Sequence, residues 1–142
     1  MATYNIASKS MGSNKPGRVV MFAILDFSKH NAVAGDIFRL IKLKNGWIVK
    51  DSHYKIMSAG TTGTDWEVGV KDATTGIVDI SDPTTAGAWT QGAYLPGAEF
   101  VPAEDEYIEV KVTAGAETIG KLGVAVDVWI GIDEAEYDSV QN

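Results

Sequence analysis

Any chemistry in this chain would have to come from two histidines, 19 acidic residues, hydroxyls and four tryptophans, because cysteine is absent. Asp51, Ser52 and His53 are consecutive and supply the three residue types of a serine hydrolase. In a strand, however, neighbours point to opposite faces, so Ser52 cannot meet Asp51 and His53 in a triad. His30 stands among turn formers, and neither histidine belongs to a His-x-His or His-Glu-x-x-His pattern. Without a cysteine pair, that leaves no transition-metal spacing. Carboxylates cluster at Glu104-Asp105-Glu106 and at Asp133, Glu134, Glu136 and Asp138. They are hard oxygen ligands that calcium could use, but neither run follows a calcium-loop spacing, and solvated acidic turns are expected. They could serve a glycosidase as acid and base only at a separation that sequence does not give. Gly60 to Gly63 and Gly115 to Gly120 lack the strand, glycine loop and helix context of a phosphate cradle and read as turns. The chain is therefore expected to have no catalytic residue, no cofactor and no metal site.

The tryptophans are more informative. Trp47 opens a strand and Trp66 leads an apolar face, so both are expected in or at the edge of the core. Trp129 lies opposite an aliphatic stripe, beside Asp127 and Gly131, on a face at least partly open, where a large ring favours a contact. Trp89, Tyr94, Leu95 and Phe100 fall in residues 81 to 105, which also hold Pro83, Pro96, Pro102, Gly87, Gly92 and Gly97. Such a loop is too apolar for free solvent and too irregular for a strand core. Either it folds back on its own domain or it meets a partner.

These side chains need a scaffold, and the hydropathy pattern predicts strands throughout. Residues 1 to 17 read as an extended arm, with Tyr4, Ile6 and Met11 available to a neighbouring groove. Val19 to Leu25 is a short apolar block that fits a strand buried on both faces. Ile37 to Leu43 forms a second strand, in which neither face is wholly polar. Asn45-Gly46 then predicts a tight turn into Trp47 to Ser58, since both residues tolerate positive φ. Trp66, Val68 and Val70 alternate with polar residues, Asp72 to Gly76 reads as a turn, and Ile77, Val78 and Ile80 make a short piece. Ile108, Val110 and Val112 alternate with Glu109, Lys111 and Thr113. Leu122 to Ile132 places an aliphatic residue at every second position, a period that lines one face of a sheet and would scatter around a helix. Gly123 and Gly131 inside this strand mark a bulge, a bend or close approach of another backbone.

Strands joined by short polar turns, with no amphipathic helix, predict one all-β domain, an antiparallel β-sandwich of jelly-roll or Greek-key type. The expected organisation is an arm at 1–17, the sandwich at 18–133 with its long loop at 81–105, and an acidic tail at 134–142. At 142 residues and a net charge of −7, one domain is expected, and neither nucleic acid nor an anionic membrane is expected as a partner. The N-terminus lacks an apolar signal region, so synthesis without export is expected.

Gly35-Asp36-Ile37-Phe38-Arg39-Leu40-Ile41-Lys42-Leu43, then Asn45-Gly46-Trp47-Ile48-Val49, and Thr61-Thr62-Gly63-Thr64 before Trp66-Glu67-Val68-Gly69-Val70 form a pattern over residues 35 to 72. It resembles the head decoration or cement proteins of tailed bacteriophages. The resemblance implies a β-sandwich virion protein without enzymatic activity. Such a protein is made in the host cytoplasm, is displayed on the capsid surface, is bound to the major capsid protein and is often trimeric. The candidate contact residues are Tyr4, Ile6, Met11, Trp89, Tyr94, Leu95, Phe100 and Trp129. The alternative is a carbohydrate-binding β-sandwich of a tail fibre or surface protein, with Trp129 or Trp89 as stacking platform.

Overall fold

The computed structural model describes residues 2–6, 17–92 and 100–130. The strands are β1 (Thr3–Asn5), β2 (Gly17–Asp26), β3 (Ala32–Val33), β4 (Ile37–Leu43), β5 (Ile48–Ser58), β6 (Asp65–Val70), β7 (Ala73–Ser81), β8 (Thr90–Gln91), β9 (Glu106–Ala114), β10 (Ala116–Glu117) and β11 (Lys121–Ile130). A 3-10 turn, Phe27–Lys29, follows β2 and is capped by the Asp26 carboxylate, which accepts from the Ser28 amide. None of the helical segments described is long and apolar enough to cross a membrane.

A five-stranded sheet runs β1-β4-β9-β6-β7 and a four-stranded sheet runs β2-β11-β5-β8, with a small β10-β3 pair beside them. Strand pairing is nested: β2 with β11, β4 with β9, β5 with β8 and β6 with β7, all antiparallel. That nesting is a ribbon of paired strands rolled into two sheets, the jelly-roll form of the expected sandwich. It puts chain ends far apart in sequence side by side and leaves β2 on an edge.

Alternation along the strands supplies the core. Leu122, Val124, Val126, Val128 and Ile130 of β11 are all buried and face Trp66 and Val68 of β6, Ile108, Val110 and Val112 of β9, and Phe38 of β4. Gly46 adopts φ +86° in the turn between β4 and β5, and the Trp47 amide donates to the Lys44 carbonyl, the tight turn that Asn45-Gly46 signals.

Three local departures from the sequence pattern have physical causes. In β4 the register against β9 shifts between Arg39 and Ile41, so Phe38, Leu40, Ile41 and Leu43 are all buried. A bulge changes the inward face halfway along, which is why neither face reads as polar. β7 begins at Ala73, so residues 73 to 76, read as turn, lie in a strand. Their polar side chains belong to an edge strand that needs few apolar residues. The third departure is β2, read as buried on both faces. Met21 and Leu25 point into the core, but Val20, Phe22 and Ile24 are 66%, 54% and 46% exposed. An apolar run alone cannot report which of its faces finds a partner.

Two buried carboxylates tie the loops down. Glu117 accepts from the Thr61 amide at 3.0 Å and the Thr61 hydroxyl at 2.6 Å, fixing the loop between β5 and β6. Asp36 accepts from the Ala2 amide at 2.8 Å and the Val33 amide at 3.0 Å, which anchors the start of β1.

Candidate interaction surface

Pairing partners in a sheet share a face, so the outer face of the four-stranded sheet follows from register. Arg18, Val20, Phe22, Ile24 and Asp26 of β2 stand opposite Trp129, Asp127, Ala125, Gly123 and Lys121 of β11. Asp127, Ala125 and Gly123 in turn stand opposite Asp51, His53 and Lys55 of β5, and His53 opposite Gln91 of β8. The result is a ridge, Val20-Phe22-Ile24, beside a shallow step at Ala125, and the Trp89 ring, itself 47% exposed, covers Gly123. A Cβ at Gly123 would stand 3.0 Å from the Trp89 ring and 3.3 Å from the Met57 sulfur, so this glycine marks the close approach of a side chain. The bulge in β5 that carries Met57 outward lies between the Lys121 and Leu122 pairings.

Polar groups frame this apolar centre. Trp129 is flanked by the Arg18 guanidinium, 5.5 Å from its ring centroid, and the Lys50 ammonium, 4.7 Å away. Arg18 also pairs with Asp127, and the Gln91 amide donates to Asp51 at 3.0 Å. The surface is thus a rigid sheet face with an apolar middle and a hydrogen-bonded rim, the anatomy of a contact surface. A monomer's polar exterior would more commonly cover that middle.

The opposite outer face, on the five-stranded sheet, is charged. Arg39 stands opposite Glu109, and Glu67 opposite Lys111. Toward β7, Asp65, Glu67 and Asp79 bring one carboxylate oxygen each within 4.8 Å of one another. Asp79 is pushed up to about 6 by its hydrogen bond to Asp65, by loss of solvent and by the charges of Asp65 and Glu67. Burial likewise raises Glu109 and Glu106. Asp79 is far from Asp65 and Glu67 in sequence, and only the β6–β7 register brings it to them. The acidic run at Glu104-Asp105-Glu106 is spent otherwise: Glu104 pairs with Lys71, and Asp105 accepts from the Asn45 amide at 2.9 Å. The run at 133–138 lies outside the described residues. Ser52 is buried, while Asp51 and His53 face out, so the hydrolase types are divided between the two sides of the sheet.

Three solved chains from phage capsids share this fold. A chain of the acid-stable capsid of Helicobacter pylori bacteriophage KHP30 aligns at a TM-score of 0.58 and 12% identity, covering 82% of this chain and 90% of that one. A chain of the cyanophage Pam1 capsid asymmetric unit aligns at 0.59 and 17% identity, covering 84% and 89%. A chain of the Ralstonia phage GP4 capsid aligns at 0.57 and 14% identity, covering 91% and 99%. At such identities the likeness is one of fold. No family model matches the sequence, and neither does any curated protein.

The residues that the sequence nominates for contact are distributed unevenly over this fold. Trp89 and the half-buried Trp129 both lie on the outer face of the four-stranded sheet. Tyr4 is engaged within its own domain, stacked on Phe38 with ring centroids 4.8 Å apart and tilted against His30 at 5.5 Å. Ile6 also packs against the core. Phe100 is partly buried there too and forms a bridge with Val49, its amide donating to the Val49 carbonyl at 3.2 Å. Met11, Tyr94 and Leu95 fall outside the described residues. Val20, Phe22 and Ile24 were not nominated, because an unbroken apolar run hides the alternation that would have exposed them.

Proposed function

We propose that this chain is a non-enzymatic structural protein of a bacteriophage virion. In this reading it is a capsid cement or decoration protein, made in the host cytoplasm, that stabilises the head by binding major-capsid subunits at the capsid surface. The observation that carries the reading is a jelly roll shared with chains of three phage capsids, joined to an open apolar surface on a stiff sheet. A rigid domain with a preformed contact face loses little entropy on docking, and repetition over a shell adds avidity. The net charge of −7 keeps free subunits dispersed before docking. The resemblance of residues 35 to 72 adds homo-oligomerisation, with a trimer favoured.

The test is co-sedimentation with empty capsids of a phage encoding the protein, followed by heating. The protein should pellet with the shells and raise their disruption temperature. Shells that neither retain it nor gain stability would refute the proposal. The carbohydrate alternative has weaker support in the geometry. Trp129 is flanked by two cations, and Trp89 sits over Gly123 beside Met57, whereas a sugar platform needs a ring next to convergent acceptors. Retention on a polysaccharide column by a protein that ignores capsids would reverse the ranking.

A further inference from the structure

We infer that Asn45 is a self-modification site: in the folded protein its side chain cyclises onto the Gly46 nitrogen, and the ring then opens to aspartate or isoaspartate. The inference rests on the turn between β4 and β5 and does not depend on the virion reading.

Reach is the first argument. The reaction needs a carboxamide free to swing toward the next backbone nitrogen, and a following residue with no side chain in the way. Asn45-Gly46 is the one Asn-Gly pair in the sequence. Both residues are exposed, and among the described residues no hydrogen bond holds the Asn45 carboxamide. Gly46 sits at φ +86°, and a Cβ placed on it would meet nothing within 4 Å, so water reaches the nitrogen and any ring formed on it.

The looseness of the hold is the second argument. The Gly46 amide donates to the Pro102 carbonyl at 3.2 Å, and the Trp47 amide closes the turn on the Lys44 carbonyl at 3.2 Å. Both bonds lie at the long end of the normal range. Releasing the first frees the nucleophile, and an exposed turn opens in this way at little cost. Leu43 and Trp47, on either side, are buried, so the strands stay in place while the two exposed residues move. Asn31 is exposed too, but its successor Ala32 is 1% exposed and paired with Glu117 across β3 and β10, which shields the corresponding nitrogen.

The chemistry balances with water as its one co-reactant. The Gly46 nitrogen gives up its proton and attacks Asn45 Cγ, the bond from Cγ to the amide nitrogen breaks, and ammonia leaves with that proton. The cyclic imide then takes up a water. Opening at Cγ yields aspartate in an unaltered backbone, whereas opening at the main-chain carbonyl yields isoaspartate, with the chain rerouted through Cγ. Either product puts a new negative charge beside Asp105, whose carboxylate accepts from the Asn45 amide at 2.9 Å. Isoaspartate also lengthens the turn by a methylene, which draws the Gly46 and Trp47 amides away from the Pro102 and Lys44 carbonyls and weakens the hold on residues 100 to 102.

The test is to hold the purified chain for weeks at mildly alkaline pH, below its melting temperature, then digest it at low pH and map the peptides by mass spectrometry. The peptide carrying Asn45 and Gly46 should shift from amide to acid mass and become a substrate for an isoaspartyl methyltransferase, about tenfold faster than the peptide carrying Asn31. Asn45→Gln, whose longer side chain must close a larger ring, should lose both signals while the fresh protein melts as wild type does. Aged wild type, unlike aged Asn45→Gln, should contain a lower-melting fraction. No change at Asn45, an equal change at Asn31, or a change at Asn45 confined to the urea-unfolded chain would overturn the inference.

Discussion

The two sheets bury equivalent inner faces and present opposite outer ones. Inside, both are lined by Val, Ile, Leu and aromatic residues in alternation. Outside, the five-stranded sheet sets Arg39 against Glu109 and Glu67 against Lys111, whereas the four-stranded sheet shows Val20, Phe22, Ile24, Ala125 and Trp89. Folding requires the inner alternation but places no such demand on the outer residues. An apolar stripe there gains nothing from solvent, which makes it a candidate contact surface.

The largest effect should come from erasing that contrast. Replacing Val20, Phe22 and Ile24 together by Asp should abolish capsid binding in co-sedimentation, with little change in melting temperature because each side chain is already substantially exposed. Asn or Gln at Asp65, Glu67 and Asp79 should leave capsid binding intact. Next comes a control for the scaffold behind both faces. Glu117→Ala removes the buried acceptor of the part-buried Thr61 amide and hydroxyl and should cost about 2 kcal/mol in chemical denaturation.

A third prediction sharpens the contrast through pH. Asp79 binds its proton more tightly in the folded state, about 6, than a carboxyl at its ordinary value of 3.8, so the native protein holds more protons than the unfolded chain between those values. Stability should therefore fall as pH rises from 3.8 through 6, and recover on acidification. The groups facing Asp79 are Asp65 and Glu67, with Ser81 farther along β7 and Lys111 across Glu67 on β9. Asp79→Asn should raise the melting temperature at pH 8 and flatten the profile between pH 4 and 7. An unchanged profile would place the titration elsewhere, with Glu109 and Glu106 the next groups raised in the same direction. The smallest effect belongs to Lys50→Ala, which removes one of the two cations beside Trp129 and should cost about 0.5–1 kcal/mol.

Much of this was legible in the residues. The alternation in β11 and β9 and the Asn45-Gly46 turn each carry a local signal that tertiary structure did not override. β4 was only half legible: a bulge at Leu40 moves the inward face, and the sequence shows the symptom, two mixed faces, without the cause. Gly123 advertised a bulge, a bend or the close approach of another backbone, whereas what approaches it is a side chain, the Trp89 indole of the long loop. Asp65 and Glu67 share a face of β6 by alternation alone, but that Asp79 joins them left no trace, because it meets them only through the pairing of β6 with β7.

The chain's own pattern thus determined that it is all strand, which side chains point inward along β6, β9 and β11, and that Trp66 and Trp47 belong to the core. Side-chain direction has a period of two, and that period is written locally. Only the tertiary structure decided that β2 lies at an edge with Val20, Phe22 and Ile24 uncovered, and that the Trp89 ring covers Gly123 beside them. Which strand lies next to which depends on contacts between residues a hundred positions apart, and hydropathy along the chain carries no record of those distances.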